Sequence, residues 1–413
     1  MLRNITLRNK EGAVAHLKKL LEPIKIKEGD WILIRVVNKS NNNEVIFPFK
    51  VRSEYRINIW NILWDKLGIE GYGSRTQFDF EYIRTLPEIL CRGENLALDK
   101  NFELAQALPP KISKENNAVF LITRELDENR IVVSFSSKRP PTPVILNKII
   151  CLDSVVAGSW RAEGAKYEFT RQGFQFTNGD ALAVKRVLDF CLTLGLSLED
   201  SRWSFDIEYV FPKKDVEKEK TLKEYWSDKL GVPKDYFKTY WKFGDDGFKY
   251  GCLILKFNSS TFNLIIRYLF EAFEKSLCET RNPELASKYM AGTLGDANVV
   301  LRNNKSLQLI TWSVSSENEA RLYEKILKNN FDITTNCKSD KRGYWRVDMW
   351  GWDNMYKFIS NKLYEHSSWN SKIYRNKSMR LKTVNKLIIG FLSHQKTLMF
   401  GRNAISKTCG LCP

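Results

Sequence analysis

The sequence has no apolar run approaching the ~20 residues that a membrane-spanning helix needs, which argues against a transmembrane segment. The first residues also lack the apolar core and cleavage site of a secretory signal peptide. We therefore expect a cytoplasmic protein with no membrane association. Histidine is scarce, and His16, His366 and His394 are far apart in the chain, so a histidine-rich metal centre is not expected.

Acidic residues are absent from residues 368–413, which contain nine Lys or Arg. This segment carries more than half of the chain's net charge of +17. An acid-free basic segment attracts phosphate backbones by releasing counterions. We predict a basic helical C-terminal extension that binds nucleic acid. The residues predicted to do so are Lys377, Arg380, Lys382 and Lys386. A solvated tail and a contact with anionic membrane remain the alternatives.

Cysteine is present without a clear metal-binding pattern. Cys409 and Cys412 form a single CxxC, which is half of a zinc site and needs two more ligands. Metal binding and a frayed tail are both open interpretations there. Five of the other six cysteines lie in apolar runs, which is typical of small buried thiols.

The length of 413 residues and a hydrophobic content of 43% predict two to three domains with substantial cores. The proline-rich stretch at 138–144 marks the best boundary, because proline is excluded from helix interiors and central strands. We predict an α+β domain over 1–146. Its predicted elements are helices over 13–24, 56–67, 80–90 and 101–108, and two β-hairpins. A substrate-docking or partner-binding role and a purely structural cap are both open for it.

Two related stretches organise the rest of the chain, at 154–169 and 289–301. Each contains an Ala-Gly pair, Ala157-Gly158 in the first and Ala291-Gly292 in the second, followed by a polar break and an extended run. Small residues at a helix crossing let two backbones approach more closely than the usual ~8–10 Å. We predict that the two helices pack on each other at these pairs and that their ends meet at one centre.

The segments VVAGSWRAEG and MAGTLGDAN resemble two diverged copies of the LAGLIDADG motif of homing endonucleases. The predicted elements that follow each motif keep the helix–strand–strand–helix–strand–strand–helix order of that family. The resemblance implies an α+β fold with two pseudo-symmetric αββαββα halves and antiparallel sheets, over 147–280 and 281–367. It also implies a monomer, because both halves of the internal pseudo-dimer lie in one chain.

In that family a carboxylate at the end of each motif helix holds divalent metal. Aligning the first motif places Glu163 at the metal position and Arg161 at an earlier acidic position. Aligning the second motif places Ala297 at the metal position, with Asp296 one residue earlier. Glu163 and Asp296 are therefore the candidate catalytic and metal-binding residues. Mg²⁺ is the cofactor expected if the protein is catalytic.

Basic and polar residues follow the predicted strands of both halves. Phe174 and Phe176 alternate with polar neighbours, which predicts a sheet with one apolar face and one polar face that fits a DNA groove. A sheet that simply faces water is the alternative. The residues predicted to contact nucleic acid in the two halves are Lys166, Arg171, Gln175, Lys234, Lys238, Lys242, Arg342 and Arg346.

Three hypotheses follow from these observations. The first is a protein that binds double-stranded DNA on a LAGLIDADG-like scaffold and has weakened or lost cleavage. The second is an active Mg²⁺-dependent, site-specific DNA endonuclease that uses Glu163 and Asp296. The third is an RNA-binding or intron-splicing factor.

Overall fold

The computed structural model describes residues 1–6, 12–69, 75–94, 100–114, 117–136, 142–164, 173–244, 249–302, 306–340 and 343–366. None of the helices within these ranges combines the length and the hydropathy of a membrane-spanning segment. The fold is a mixed α+β arrangement, as predicted.

The first part of the chain is mainly β-structure. Its strands are β1 (Leu2–Thr6), β2 (Gly12–His16), β3 (Trp31–Asn38), β4 (Glu44–Lys50), β5 (Arg56–Trp60) and β6 (Arg75–Thr85), and its helices are α1 (Lys18–Leu21) and α2 (Trp64–Leu67). Short 3-10 turns occupy Ser53–Tyr55 and Asn61–Leu63. The antiparallel strand order is β1-β6-β3-β4, and β2 pairs with β5 as a separate ribbon.

Several predicted helices in this part are wrong. The 56–67 stretch begins as strand β5, in which Ile57 and Ile59 are buried and their neighbours are more exposed. That alternation has the two-residue period of a strand. The 80–90 stretch continues β6, which buries Phe78 and Phe80 in the same way. The 13–24 stretch divides into β2 and α1.

The segment that leads to the first motif contains one described helix and further strands. These elements are β7 (Glu88–Ile89), β8 (Phe102–Glu103), α3 (Leu104–Ala107), β9 (Lys111–Lys114), β10 (Asn117–Glu125), β11 (Arg130–Ser136), β12 (Val144–Asn147) and β13 (Ile149–Ile150). The strand order is β12-β11-β10-β7, β9 also pairs with β10, and β8 pairs with β13. Both predicted hairpins, β3–β4 and β10–β11, are confirmed. The helix predicted over 101–108 is shorter than expected and covers only Leu104–Ala107, which is α3.

The first motif begins a half built from both helices and strands. Its elements are α4 (Ser154–Glu163), β14 (Phe174–Asn178), α5 (Ala181–Thr193), β15 (Trp203–Phe211), α6 (Val216–Leu230), a 3-10 turn (Lys234–Tyr236), β16 (Phe237–Phe243), β17 (Cys252–Phe257) and α7 (Ser260–Glu279). The described strands are ordered β14-β17-β15-β16. They pair antiparallel except for β15 and β16, which are parallel. The strand predicted over 165–170 lies outside the described residues.

The second motif begins a half with the same plan. Its elements are α8 (Pro283–Thr293), a 3-10 turn (Leu294–Asp296), β18 (Ala297–Arg302), β19 (Ser306–Val314), α9 (Glu317–Phe331), β20 (Asn336–Ser339), β21 (Trp345–Trp350) and α10 (Trp352–Ser360). Its strands are ordered β18-β19-β21-β20 and all pair antiparallel. The predicted αββαββα order is confirmed here in full. In the first half α6 and β16 are additions to it.

Helices α4 and α8 cross at their glycines, as predicted. A Cβ atom added to Gly158 would lie 2.0 Å from the carbonyl oxygen of Tyr289 and 3.3 Å from the Cα of Gly292. A Cβ atom added to Gly292 would lie 2.3 Å from the carbonyl oxygen of Val155. No side chain fits at either position, so the backbones are in direct contact and glycine is required on both helices.

Polar caps begin both motif helices. The Asp153 side chain accepts hydrogen bonds from the backbone N–H groups of Val155 at 2.8 Å and Val156 at 3.1 Å. The Asn282 side chain caps α8 by accepting from the N–H of Leu285 at 3.2 Å, and Pro283 follows it in the first turn. These residue types satisfy the free N–H groups of a first helical turn. The helix starts are therefore encoded locally.

Two large apolar cores are present among the described residues. One contains buried residues between Ala13 and Phe80, and the other contains buried residues between Cys91 and Leu363. The second core includes buried residues of α4 and α8 and the apolar faces of both motif sheets. The four-part domain division remains a prediction.

Candidate nucleic-acid interface

Each motif sheet has one face covered by helices and one polar face. In β14, Phe174 and Phe176 are buried while Gln175 and Thr177 are partly exposed, so the predicted alternation is confirmed there. The strand register assigns further residues to the face of Gln175. We name this set the first polar face: Gln175, Thr177, Ser204, Asp206, Glu208, Lys238, Tyr240, Lys242, Cys252, Ile254 and Lys256.

Ion pairs cross the strands of the first polar face. Lys256 Nζ lies 2.8 Å from Oδ2 of Asp206, whose side chain is largely buried. Lys242 Nζ lies 2.7 Å from Oε2 of Glu208. Ser204 Oγ donates to the other oxygen of Asp206 at 2.8 Å. These contacts confirm that β15, β16 and β17 direct their polar side chains to the same side.

The second half presents a corresponding surface. We name it the second polar face: Asn298, Thr311, Ser313, Asn336, Lys338, Arg346, Asp348 and Trp350. At its centre Asp348, only 2% exposed, accepts from Lys338 Nζ at 2.7 Å and from Arg346 Nη2 at 3.1 Å. Arg346 Nε also donates to Thr311 Oγ1 at 3.4 Å. The guanidinium is therefore held from two sides.

The buried position of Asp348 changes its acidity. Burial by itself raises the pKa of this carboxyl, but hydrogen bonds from Lys338 and Thr311 and the charge of Arg346 more than offset it. The net effect is a pKa below the usual value for aspartate. The carboxylate therefore stays ionised and fixes the two basic side chains on the face.

Glu163 lies where α4 ends against the second motif. A Cβ atom added to Gly295 would lie 2.9 Å from Oε1 of Glu163, so the carboxylate contacts the 3-10 turn that contains Asp296. The negative charge of Glu163 also affects the thiol of Cys252, which lies on the first polar face. The pKa of that thiol is raised to about 12, first by burial and then by the negative charges of Glu163 and Glu208. The two motif ends thus meet at one centre, as predicted.

The structure describes the first of the two predicted metal ligands at this centre, Glu163, and not the side chain of the second. Ala297 is fully buried and begins β18 at the position aligned with the metal ligand. Across the described parts of the chain, no group of three or more His, Cys, Asp or Glu is placed to hold a metal ion. The backbone of Asp296 ends the 3-10 turn, but its side chain is not described. Its role as a ligand stays a prediction.

Arg161, at the other position that departs from the motif, belongs to a buried ion pair. Its Nε donates to Oε1 of Glu274 at 2.7 Å, and its Nη2 contacts the other carboxylate oxygen. The hydroxyl of Tyr289, on α8, donates to the same Oε1 at 2.7 Å. Burial alone lowers the pKa of Arg161, but Glu274 raises it well above its usual value. This network joins α4, α7 and α8.

The structure separates the predicted contact residues into three groups. Gln175, Lys238, Lys242 and Arg346 are on the two polar faces. Lys234 instead pairs with Glu224 of α6 at 3.0 Å, on the helical side of the sheet. The predicted residues outside the described parts are Lys166, Arg171, Arg342, Lys377, Arg380, Lys382 and Lys386, together with Cys409 and Cys412.

Sequence reasoning missed two basic residues on the polar faces, Lys256 and Lys338. Lys256 is near the end of the apolar run CLILKF, which is typical of a strand buried on both sides. Lys338 is next to Cys337, which packs inward, and this inside–outside alternation was the available signal.

No family model matches the sequence, and no curated protein matches it. Two solved structures are similar to part of this chain at low identity. Full-length DUF199/WhiA from Thermatoga maritima matches with 13% identity and a TM-score of 0.31, over 62% of this chain and 67% of that one. The N-terminal LAGLIDADG domain of DUF199/WhiA matches with 12% identity and a TM-score of 0.29, over 55% of this chain and 86% of that one.

The described elements of the two halves follow the same order apart from the added α6 and β16, both sheets present a polar face, and glycines meet where the motif helices cross. The described parts of residues 154–360 therefore form two halves of one αββαββα plan, which is the arrangement that the resemblance to LAGLIDADG proteins predicts.

Proposed function

We propose that the protein binds double-stranded DNA through its two polar faces and has weak or no cleavage activity. The observation that carries this proposal is that each of the two halves, which meet at the α4–α8 crossing, has a polar sheet face. Each face combines donors and acceptors with basic side chains. A polar strand surface of this kind suits a major groove, where each base pair presents a distinct set of donors and acceptors.

Arg346 is the residue best prepared for base recognition. Its guanidinium is oriented by Asp348 and Thr311 and retains N–H groups for a partner. A fixed arginine suits bidentate contact with guanine, which is the commonest specific contact to a base. Lys338 and Lys242 suit phosphate, because a lysine ammonium acts as a compact point charge. Both classes of contact are needed for specific binding.

Weak or absent cleavage is proposed because one motif end lacks the expected acid. Glu163 is at the centre, whereas Ala297 occupies the equivalent position of the second motif. Mg²⁺, where bound by such a pair of carboxylates, stabilises the attacking and leaving oxygens of phosphodiester hydrolysis. A single carboxylate beside many cations is a poor site for it.

The test uses the purified full chain. A random duplex library is selected on the protein, and the enriched sequence is then compared as duplex DNA, single-stranded DNA and RNA by fluorescence anisotropy. We expect the duplex to bind tightest and the double variant Lys338→Gln/Arg346→Gln to lose affinity and sequence preference. Lys234→Gln is the matched control, because Lys234 is on the helical side. Tighter binding to RNA than to duplex DNA would overturn the proposal.

Cleavage is measured on a plasmid that carries the selected site, with and without Mg²⁺. We expect little or no cutting by the wild type. Efficient Mg²⁺-dependent cutting that is lost in Glu163→Gln would instead establish an endonuclease. The binding measurement remains informative in either case, since most affinity comes from contacts elsewhere on the duplex.

A further inference from the structure

Strand β16 is an addition to the αββαββα plan, placed at the edge of the first motif sheet. It runs parallel to β15, whereas the other described pairs of this sheet are antiparallel. Phe237 begins it with a buried ring whose centroid is 5.4 Å from that of Phe205. Trp241 Nε1 donates to the carbonyl oxygen of Phe211 at 2.9 Å. The strand is therefore firmly attached to its neighbour.

Helix α6 supports β16 from the helical side. Leu222, Trp226 and Leu230 are buried along one side of α6, and this helix contacts β16. Because successive strand side chains point to opposite faces, Lys238, Tyr240 and Lys242 all project from the other side. Tyr240 is 48% exposed, and both lysines are exposed as well.

The register places these three residues on the first polar face. Lys238 pairs with Asp206, and Tyr240 pairs with Glu208. The ion pair between Lys242 and Glu208 shows that the side chains share one side. One added strand widens this face by about one inter-strand spacing, ~4.8 Å.

The charge of the face depends on this strand. Among the described residues, β14, β15 and β17 place Lys256, Asp206 and Glu208 on it, which is a net charge of −1. The single lysine is already paired with Asp206. Adding Lys238 and Lys242 changes the net charge to +1. Without β16 these strands would repel a phosphate backbone.

The second half obtains its charge differently. Its described face carries Lys338 and Arg346 against Asp348, a net charge of +1, and all three residues are on strands of the αββαββα plan. The described polar faces of both halves therefore have a positive net charge, but the charged residues that produce it lie on different kinds of strand. Only the first uses an added strand among the residues described.

We propose that β16 is the phosphate-binding strand of the first half, with Lys238 and Lys242 contacting the DNA backbone at one end of the bound site. This inference rests on the proposed function, duplex binding by the polar faces. It predicts an asymmetric footprint, with additional contacts on the side of the first half. Tyr240, between the two lysines, adds a hydroxyl that can hydrogen-bond to phosphate or sugar oxygens.

The experiment compares the wild type with Lys238→Gln/Lys242→Gln on the selected duplex, across a salt series. Each lost phosphate contact lowers the slope of log Kobs against log salt by about 0.9, so the double variant should be less steep by about 1.8. Hydroxyl-radical footprinting should show protection lost at one end of the site only. Lys234→Gln removes one lysine charge from the helical side of the sheet, so it should leave the salt slope and the footprint unchanged.

A second variant tests the sign of the charge without removing a lysine. Glu208→Gln deletes the carboxylate that pairs with Lys242, so duplex binding should tighten. If Lys238→Gln/Lys242→Gln bound the duplex with the same affinity, salt slope and footprint as the wild type, this inference alone would be overturned. Failure of the wild type to bind any duplex would overturn the proposed function together with it. Circular dichroism confirms that each variant is folded.

Discussion

Arg161 and Glu274 form a buried, bidentate ion pair between α4 and α7, in the last turn of the first motif helix. Glu274 is only 3% exposed and also accepts from Tyr289 of the second motif helix. Arg161 occupies a motif position that is acidic in the LAGLIDADG family. Its positive charge is explained by its pairing with Glu274 of α7. The hydrogen bond from Tyr289 to Glu274 links this pair in the first half to the second half.

Removing one partner of this pair should be strongly destabilising. Glu274→Gln leaves the Arg161 guanidinium buried without a counter-charge, and breaking a buried pair this way costs about 3–5 kcal/mol. Denaturant unfolding, monitored by tryptophan fluorescence, measures the change. The double variant Arg161→Met/Glu274→Leu should be less destabilised than Glu274→Gln, because no unpaired charge remains. A single variant with wild-type stability would contradict this account.

A methyl group at the helix crossing should also destabilise the protein. Gly158→Ala introduces a Cβ atom 2.0 Å from the Tyr289 carbonyl oxygen, so α4 and α8 must separate. Overpacking of this kind costs typically ~1–3 kcal/mol. Thermal unfolding measures it, and Ser159→Ala on the same helix, which adds no atoms, is the control. An unchanged midpoint for Gly158→Ala would mean that the helices do not cross at this glycine.

Asp348 should make the second half acid-sensitive. Its pKa is lowered in the folded state, so its ionised form contributes stability above the unfolded value of ~3.9. That contribution is lost as the pH falls through the lower, folded-state pKa. We expect the unfolding free energy of Asp348→Asn to depend less on pH below ~4 than that of the wild type. At pH 7 the substitution should cost about 1–3 kcal/mol, because Lys338 and Arg346 lose an ionised partner.

The control for Asp348 is Asp353→Asn. Asp353 pairs with Lys357 at 2.7 Å on a helix surface, and its side chain is 76% exposed. Exposed pairs of this kind contribute little to stability. If both variants show the same acid profile, the buried pairing of Asp348 is not the source of the pH dependence.

Residues 368–413 should contribute to affinity through charge alone. Deleting them removes nine positive charges and no acid. The truncated protein should bind duplex DNA more weakly, with a flatter dependence on salt. Titrations of both forms from low to moderate salt test this expectation. Equal slopes would show that the segment is not part of the interface.

Local sequence determined much of this architecture. The alternation of Phe174, Gln175 and Phe176 predicts which face of β14 is apolar, because strand side chains alternate regardless of their surroundings. Asp153 and Asn282 cap the motif helices through contacts within three residues. Gly158 and Gly292 occupy matching positions of the two motif helices. Small residues at such positions predict that the two helix backbones cross closely.

Tertiary structure decided what the local pattern left open. Short apolar runs are compatible with helix or strand, and β5 and β6 became strands because neighbouring strands accept their hydrogen bonds. The roles of Arg161 and Lys256 depend on Glu274 and Asp206, which are distant in the chain. The sign of the first polar face depends on β16, whose pairing with β15 places two lysines there. Long-range register and burial set these properties, and no local window of sequence contains them.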